Sequence, residues 1–313
     1  MEKTLSRSDA RVSLVVPVLN AADHLPQLLP AVLGQKGVAL EEIVLVDSGS
    51  SDGSRSIAAG FEKTRVVQIE NFSHGRARNL GVSETKGDTI AFLSQDALPL
   101  GKDWLRALVE PLAQDGVAAS FSRQIPREDA NPMERFFLQT HFPPGDDLVM
   151  RKAEGETPAF QREVFLSNVS SAMPRDILER FPFDEEIIMS EDQQFARDVI
   201  EDGMVIVYTP SSAVLHSHNY SLKTVFQRYF DSIYSLTKLF SGHRVENSAA
   251  MAVRYLTREL GYIARNHPLW LPYYCLYTLA KSAGAFLGHY AERMPRGLAR
   301  RLSLHKYYWD DLD

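Results

Sequence analysis

The sequence predicts an α/β fold, with a parallel sheet covered by helices on both faces and a mostly helical region after it. Three observations carry this. Short β-branched apolar runs alternate with helix-spaced segments in the order β-α-β-α-β-α-β over the first 94 residues, the order that gives a parallel sheet with crossover helices. Beyond residue 220 the pattern turns helical. The charge reverses at the same place: residues 1–221 hold 21 Lys and Arg against 33 Asp and Glu, a net −12, and residues 222–313 hold 13 against 7, a net +6. Such a split marks two regions with different surroundings. The boundary falls near the His-Ser-His-Asn stretch at 216–219, giving one domain over 1–220 and a second region over 221–313.

Val12–Val18 (VSLVVPV) reads as a buried strand because it is continuous, β-branched and too short for a helix. Residues 23–34 place Leu25, Leu28, Leu29, Val32 and Leu33 at helical spacing. Ile43–Val46 is a second buried strand, closed by the turn-rich Asp47-Ser-Gly-Ser-Ser-Asp-Gly53. A short helix at 54–60, a strand at Arg65–Ile69, a helix near 75–84 and a strand at Thr89–Ser94 follow. Residues 100–215 are mixed, with a helix near 103–113, strands near 117–123 and 205–208, and a mobile polar loop over 142–160. Residues 222–240 and 248–266 are amphipathic helices, and 269–288 is an apolar stretch broken by Lys281.

With 313 residues, 44% hydrophobic and 24% charged, the chain has a globular composition that can bury a sizeable core. The lone Cys275 excludes an internal disulfide framework and a Cys-rich zinc module. A net charge of −6 argues against a nucleic-acid binder relying on bulk charge. The segment MEKTLSRSDARVS lacks the apolar run of a signal peptide, so a cytoplasmic enzyme or binding protein is expected. There is no GxGxxG after the first strand and no GxxxxGK[ST], which disfavours dinucleotide and P-loop readings.

Ligands of open parallel sheets bind at the carboxyl ends of the strands. Polar groups stand there in Pro17-Val-Leu-Asn20, Asp47-Ser-Gly-Ser and Ser94-Gln-Asp96. Taken alone, Asp47 and Ser48 either bind a nucleobase or ribose or simply shape a turn.

The segments VSLVVPVLNAADHLPQLLPAVLGQ, EEIVLVDSGSSDGS and GRARNLGVSETKGDTIAFLSQDALP resemble, in content and order, the family-two glycosyltransferases of GT-A fold. The likeness spans about residues 11–220 and is greatest to the bacterial rhamnosyltransferase branch, through NFSHGRARNLG and HSHNYSL. It implies a Rossmann-like, mainly parallel mixed sheet flanked by helices, with a helical carboxyl-terminal region. It also implies that Pro17, Asn20, Asp47, Ser48 and Gly49 line the base and ribose pocket, with Gln95 and Asp96 on the donor side. Arg78 matches a basic residue near the diphosphate, a role suited to a guanidinium, which pairs bidentately with phosphate oxygens. Its alternative is a surface ion pair with Glu84.

Asp96 stands where the family has the last acid of its DXD motif, which holds a divalent cation, Mn²⁺ or Mg²⁺, on the diphosphate. Here the first acid is missing, for the chain reads Ser94-Gln95-Asp96. His216 and His218, an i,i+2 pair that shares one face of an extended segment, are candidates for the missing ligation. His216 lies 24 residues after Asp192, in the region where related enzymes supply a histidine. Ser190-Glu191-Asp192 matches the family's acidic motif at a helix start, which makes Asp192 the catalytic base and Glu191 the next candidate. The competing reading is a plain helix cap.

The resemblance implies an inverting transfer, most simply of L-rhamnose from dTDP-β-L-rhamnose to a polyprenyl-diphosphate-linked glycan in cell-surface polysaccharide synthesis. The alternatives are a UDP- or GDP-sugar donor and a non-catalytic nucleotide-binding scaffold. Trp270, Tyr273, Tyr274 and Tyr277, followed by Arg293, Arg296, Arg300, Arg301 and Lys306, point to peripheral attachment at the inner face of the cytoplasmic membrane. Packing on the catalytic domain or a homodimer contact is the competing use of these helices.

Overall fold

The computed structural model describes residues 11–151, 164–241 and 248–310. Its strands are β1 (Arg11–Val18), β2 (Ala39–Asp47), β3 (Thr64–Gln68), β4 (Thr89–Leu93), β5 (Leu98–Pro99), β6 (Val117–Ile125), β7 (Val149–Arg151), β8 (Ser170–Pro174) and β9 (Val205–Leu215). The helices are α1 (Leu25–Leu33), α2 (Ser54–Ala58), α3 (His74–Glu84), α4 (Trp104–Val109), α5 (Pro132–His141), α6 (Arg175–Arg180), α7 (Glu191–Glu201), α8 (Leu222–Leu239), α9 (Ser248–Asn266), α10 (Leu271–His289), α11 (Arg296–Leu302) and α12 (Lys306–Asp310).

The chain forms two compact units. The first comprises residues up to Ile125, Phe142–Glu185 and Glu191–His216. It holds one mixed sheet in the order β3-β2-β1-β4-β8-β6-β9-β5, with β7 paired to β9. Strands β3, β2, β1 and β4 run parallel, as the alternating pattern predicts. The central residues of β1, β2 and β4 are almost wholly buried because helices cover both faces, and Leu14, Val16, Leu45 and Ala91 share a core with α1 and α4.

Two departures from the sequence reading matter for the site. The segment Ser170–Pro174 (SSAMP) lacks β-branched residues, yet it runs antiparallel between β4 and β6. Small side chains fit there because serines bond one another across the sheet: Ser122 Oγ lies 2.7 Å from both Ser170 Oγ and Ser212 Oγ. The strand expected at 205–208 runs on to Leu215. Pro210-Ser-Ser breaks its apolar alternation, and the ladder to β6 shifts register there, between Ser122 and Arg123.

The second unit comprises Pro126–His141, Glu186–Ser190 and the chain from Ser217. The chain thus enters it for good close to the charge boundary, but two earlier segments already belong to it. A window sliding along the sequence averages contiguous residues and cannot register such returns. Helices α8 and α9 fall where periodicity places them, and the apolar stretch 269–288 forms α10. Lys281, which interrupts the apolar stretch, is half-buried in this unit, 3.2 Å from Glu259 and with its ammonium over the Tyr255 ring. Among the described residues no helix is long and apolar enough to cross a membrane. The expected loop over 142–160 carries the short β7, and its residues from 152 on lie outside the described ones.

Candidate active site

Strand β1 lies between β2 and β4, so the order of parallel strands reverses at its carboxyl end, where open sheets bind ligands. Five predicted donor-side residues meet there. Asp47 ends β2 fully buried, and its Oδ1 accepts the Ser50 N–H at 3.1 Å. Its Oδ2 lies 3.2 Å from Arg55 Nε but makes no hydrogen bond. Ser48 donates to the Val18 carbonyl from its N–H at 3.0 Å and from its hydroxyl at 3.1 Å, tying β2 to β1 beside half-buried Pro17. Gly49 turns the chain at φ +103°, where a side chain would be strained. Asn20, at φ +51°, accepts the Ser51 N–H at 3.0 Å.

Gln95 follows β4. Its Oε1 accepts the Leu19 N–H at 2.8 Å, and its Nε2 donates to the Leu19 carbonyl at 3.1 Å. An amide can both accept from and donate to one backbone residue in this way, whereas an ionised carboxylate only accepts. That is a physical reason for Gln at the place where the resemblance expects an acid.

His216 follows β9, its N–H bonded to the Ile125 carbonyl at 2.9 Å. Gln124 donates through Nε2 to Ser167 Oγ, so its Oε1 faces His216 Nδ1 at 2.9 Å. With the proton on Nδ1, the tautomer that this Gln124 orientation favours, the neutral ring turns an Nε2 lone pair toward Asp96 Oδ1, 3.6 Å away. Two acceptors facing each other call for a cation between them, either a proton on the ring or a metal ion. One carboxylate oxygen and one imidazole nitrogen suit Mn²⁺ better than Mg²⁺. Sequence reasoning missed Gln124, because nothing in its neighbourhood along the chain marks it. His218 opens the second unit, where its ring stacks on Tyr220 and its N–H reaches Glu134 Oε1 at 3.3 Å.

The acidic motif begins α7. Glu191 is buried and pairs with buried Arg78 at 2.8 Å. Arg78 also donates to the His74 carbonyl at 3.0 Å, and its Nε is buried without a hydrogen-bond partner. The Glu84 carboxylate instead meets Arg65, at 3.1 Å. Burial opposes ionisation of Glu191, but the charges of Arg78 and then His74 outweigh it and hold the carboxyl below its ordinary range. Asp192 is half-buried and accepts N–H groups from Gln193 at 2.9 Å and Asn168 at 3.3 Å. Desolvation, reinforced by the neighbouring Glu191 charge, pushes its carboxyl up to about 7. Two adjacent carboxylates thus have separate characters: one held as an anion, the other poised to take a proton near neutrality.

Residues 13–180 match the sequence profile described as glycosyl transferase family 2. This chain belongs to that family. The glycosyltransferase is 30% identical to the O-antigen chain rhamnosyltransferase RfbN of Salmonella typhimurium over 307 residues, 96% of this chain and 97% of that one. It is also 30% identical to the O-antigen chain rhamnosyltransferase WbaN of Salmonella anatum, covering 87% of each chain. Among solved structures, the mannosyltransferase PcManGT from Pyrobaculum calidifontis, in complex with GDP-Man and Mn²⁺, superposes with a TM-score of 0.59 at 18% identity, covering 91% of this chain and 86% of that one. TarS of S. aureus in complex with UDP-GlcNAc gives 0.56 at 17% identity, with 94% and 84% covered. Both support the GT-A fold read from the sequence. The family is an inverting one, as the resemblance implies.

Proposed function

We propose that this enzyme transfers L-rhamnose from dTDP-β-L-rhamnose, with inversion, to a polyprenyl-diphosphate-linked glycan of a bacterial cell-surface polysaccharide. The observation that carries the chemistry is Asp192: a half-buried carboxylate, raised to about 7, beside the ion-paired Glu191. The sugar named rests on the two Salmonella relatives, each alike over most of its length.

In this reading Asp192 takes the proton of the acceptor hydroxyl as that oxygen displaces the nucleoside diphosphate in line at the anomeric carbon. Asp47, Ser48, Gly49, Asn20 and Pro17 orient the base and ribose, and Gln95 holds the β1 end against the β4 end. Arg78 lies near the departing diphosphate and holds Glu191 in place. The facing lone pairs of Asp96 and His216 fit a divalent cation, with His218, two residues further along the chain, as a third donor. Such a cation supplies Lewis-acid neutralisation of the leaving diphosphate. We place the enzyme on the inner face of the cytoplasmic membrane, because Leu276, Leu279 and Phe286 stand 53–67% exposed on α10, which is followed in the chain by Arg293, Arg296, Arg300 and Arg301, residues that favour anionic lipid.

The test combines binding and turnover. Thermal shifts with dTDP-, UDP- and GDP-sugars and Mn²⁺ are expected to favour the dTDP-sugar. Release of dTDP should require a glycan acceptor and stop on addition of EDTA. Stabilisation by a GDP-sugar alone refutes the rhamnose donor, and absence of acceptor-dependent release returns the chain to a scaffold role.

A further inference from the structure

Asn168 sits in the segment before β8 and is 2% exposed. Its backbone N–H donates to Asp192 Oδ2 at 3.3 Å, and its Nδ2 lies 3.5 Å from Glu191 Oε1. One buried residue therefore touches both carboxylates of the acidic motif. The direction of its amide is fixed from behind. Ser171, fully buried in β8, donates its hydroxyl to Asn168 Oδ1 at 2.8 Å, which leaves the NH₂ group facing Glu191. The same segment is laced to α7 a second time, since Gln193 Nε2 donates to the Leu166 carbonyl at 2.7 Å. Strand β8 pairs on both sides within the sheet, so the anchor is rigid.

We propose that Asn168, locked by Ser171, is a positioning residue that keeps Asp192 as the proton acceptor and Glu191 as the partner of Arg78. The inference rests on the reading of Asp192 as the base. The charged and titratable groups around the pair are Arg78 and His74 on α3 and the two carboxylates themselves. A neutral donor is the group that suits this place. It bonds the Glu191 anion without adding a second positive charge, which would drain the proton affinity that Asp192 needs. A carboxylate of the same shape at 168 would put a third anion against the pair.

The proposal predicts a spectroscopic change that needs no substrate. In protein labelled with ¹³C at glutamate side-chain carboxyls, the Glu191 signal, assigned by its absence in Glu191→Gln, is followed against pH. Asn168→Ala keeps the backbone N–H on Asp192 and removes only the Nδ2 bond to Glu191. Loss of a hydrogen bond to an ionised carboxylate raises it, so the Glu191 midpoint should move up by about one pH unit, toward that of Asp192. Ser171→Ala should move it in the same direction by less. Asn168→Asp, which preserves shape, should move it further than Asn168→Ala. A merely packing role predicts unchanged midpoints in Asn168→Ala and Ser171→Ala, provided these variants still melt cooperatively. Should Asn168→Ala fail to fold, Ser171→Ala decides, because it deletes only the hydroxyl that locks the amide. Unchanged midpoints overturn the proposal. The underlying reading fails separately, if Asp192→Asn transfers sugar at a near-normal rate.

Discussion

Arg78→Ala removes the cation from a buried ion pair whose members are 9% and 7% exposed and 2.8 Å apart. Breaking such a pair by deleting one partner costs about 3–5 kcal/mol, because the remaining charge stays buried and uncompensated. For a domain of this unit's size that corresponds to a fall in Tm of roughly 10 °C. The loss should depend on pH in a definite sense. In the intact protein the Glu191 carboxyl is held low, so its stabilising contribution is present above the unfolded value near 4.5 and fades as pH falls through the folded one. Without Arg78 the largest lowering influence is gone, and burial is opposed only by His74 and the hydrogen bonds to Glu191. The carboxyl should then rise, so that the fold loses stability as pH rises. The gap between intact and variant protein is therefore largest near pH 8 and narrows toward pH 5. Adding Glu191→Gln to Arg78→Ala removes the orphaned charge and should recover part of the loss at pH 8. Denaturation in urea at the two pH values measures both effects. A pH-independent loss, or a double variant less stable than Arg78→Ala at pH 8, would refute the argument that the pair is held by charge compensation.

Three further outcomes are expected. Asp192→Asn should lower transfer by several orders of magnitude, and kcat of the intact enzyme should rise with pH through about 7 as the base ionises. Because the folded carboxyl is raised, its ionisation destabilises the fold as pH climbs from the unfolded value to about 7, so this variant should melt higher than the intact protein at pH 8 and no higher at pH 4. Gly288→Leu should destabilise the second unit by at least 1–3 kcal/mol, since even a Cβ there would stand 2.3 Å from the Phe230 carbonyl and force α10 off α8; circular dichroism melting reads it. In flotation with anionic vesicles the intact chain should bind in a salt-sensitive way, and replacing Leu276, Leu279 and Phe286 with serine should release it. Equal flotation of both proteins would assign that face to another use, such as contact between two copies of the chain.

The order of elements through β4 was legible in the sequence because buried parallel strands are continuous apolar, β-branched runs, and α1 between the first two carries a full apolar stripe. Periodicity likewise gave α8 and α9, whose bounds agree to within one residue, while α10 showed only as an apolar stretch. The acidic motif and Asp96 could be named because they follow local patterns in a fixed order. Strand β8 was not legible, since its small residues serve a buried serine network that exists only once β4 and β6 flank it. Tertiary structure alone decided which carboxylate meets which cation. Arg78 pairs with Glu191, 113 positions away in the chain and not with the nearby Glu84, and Gln124 sets the proton of His216 from a neighbouring strand. Periodicity reports which face of an element is buried. The ionisation of a carboxylate depends on charges and dipoles within a few ångströms, and those are brought together by strand order rather than by distance along the chain.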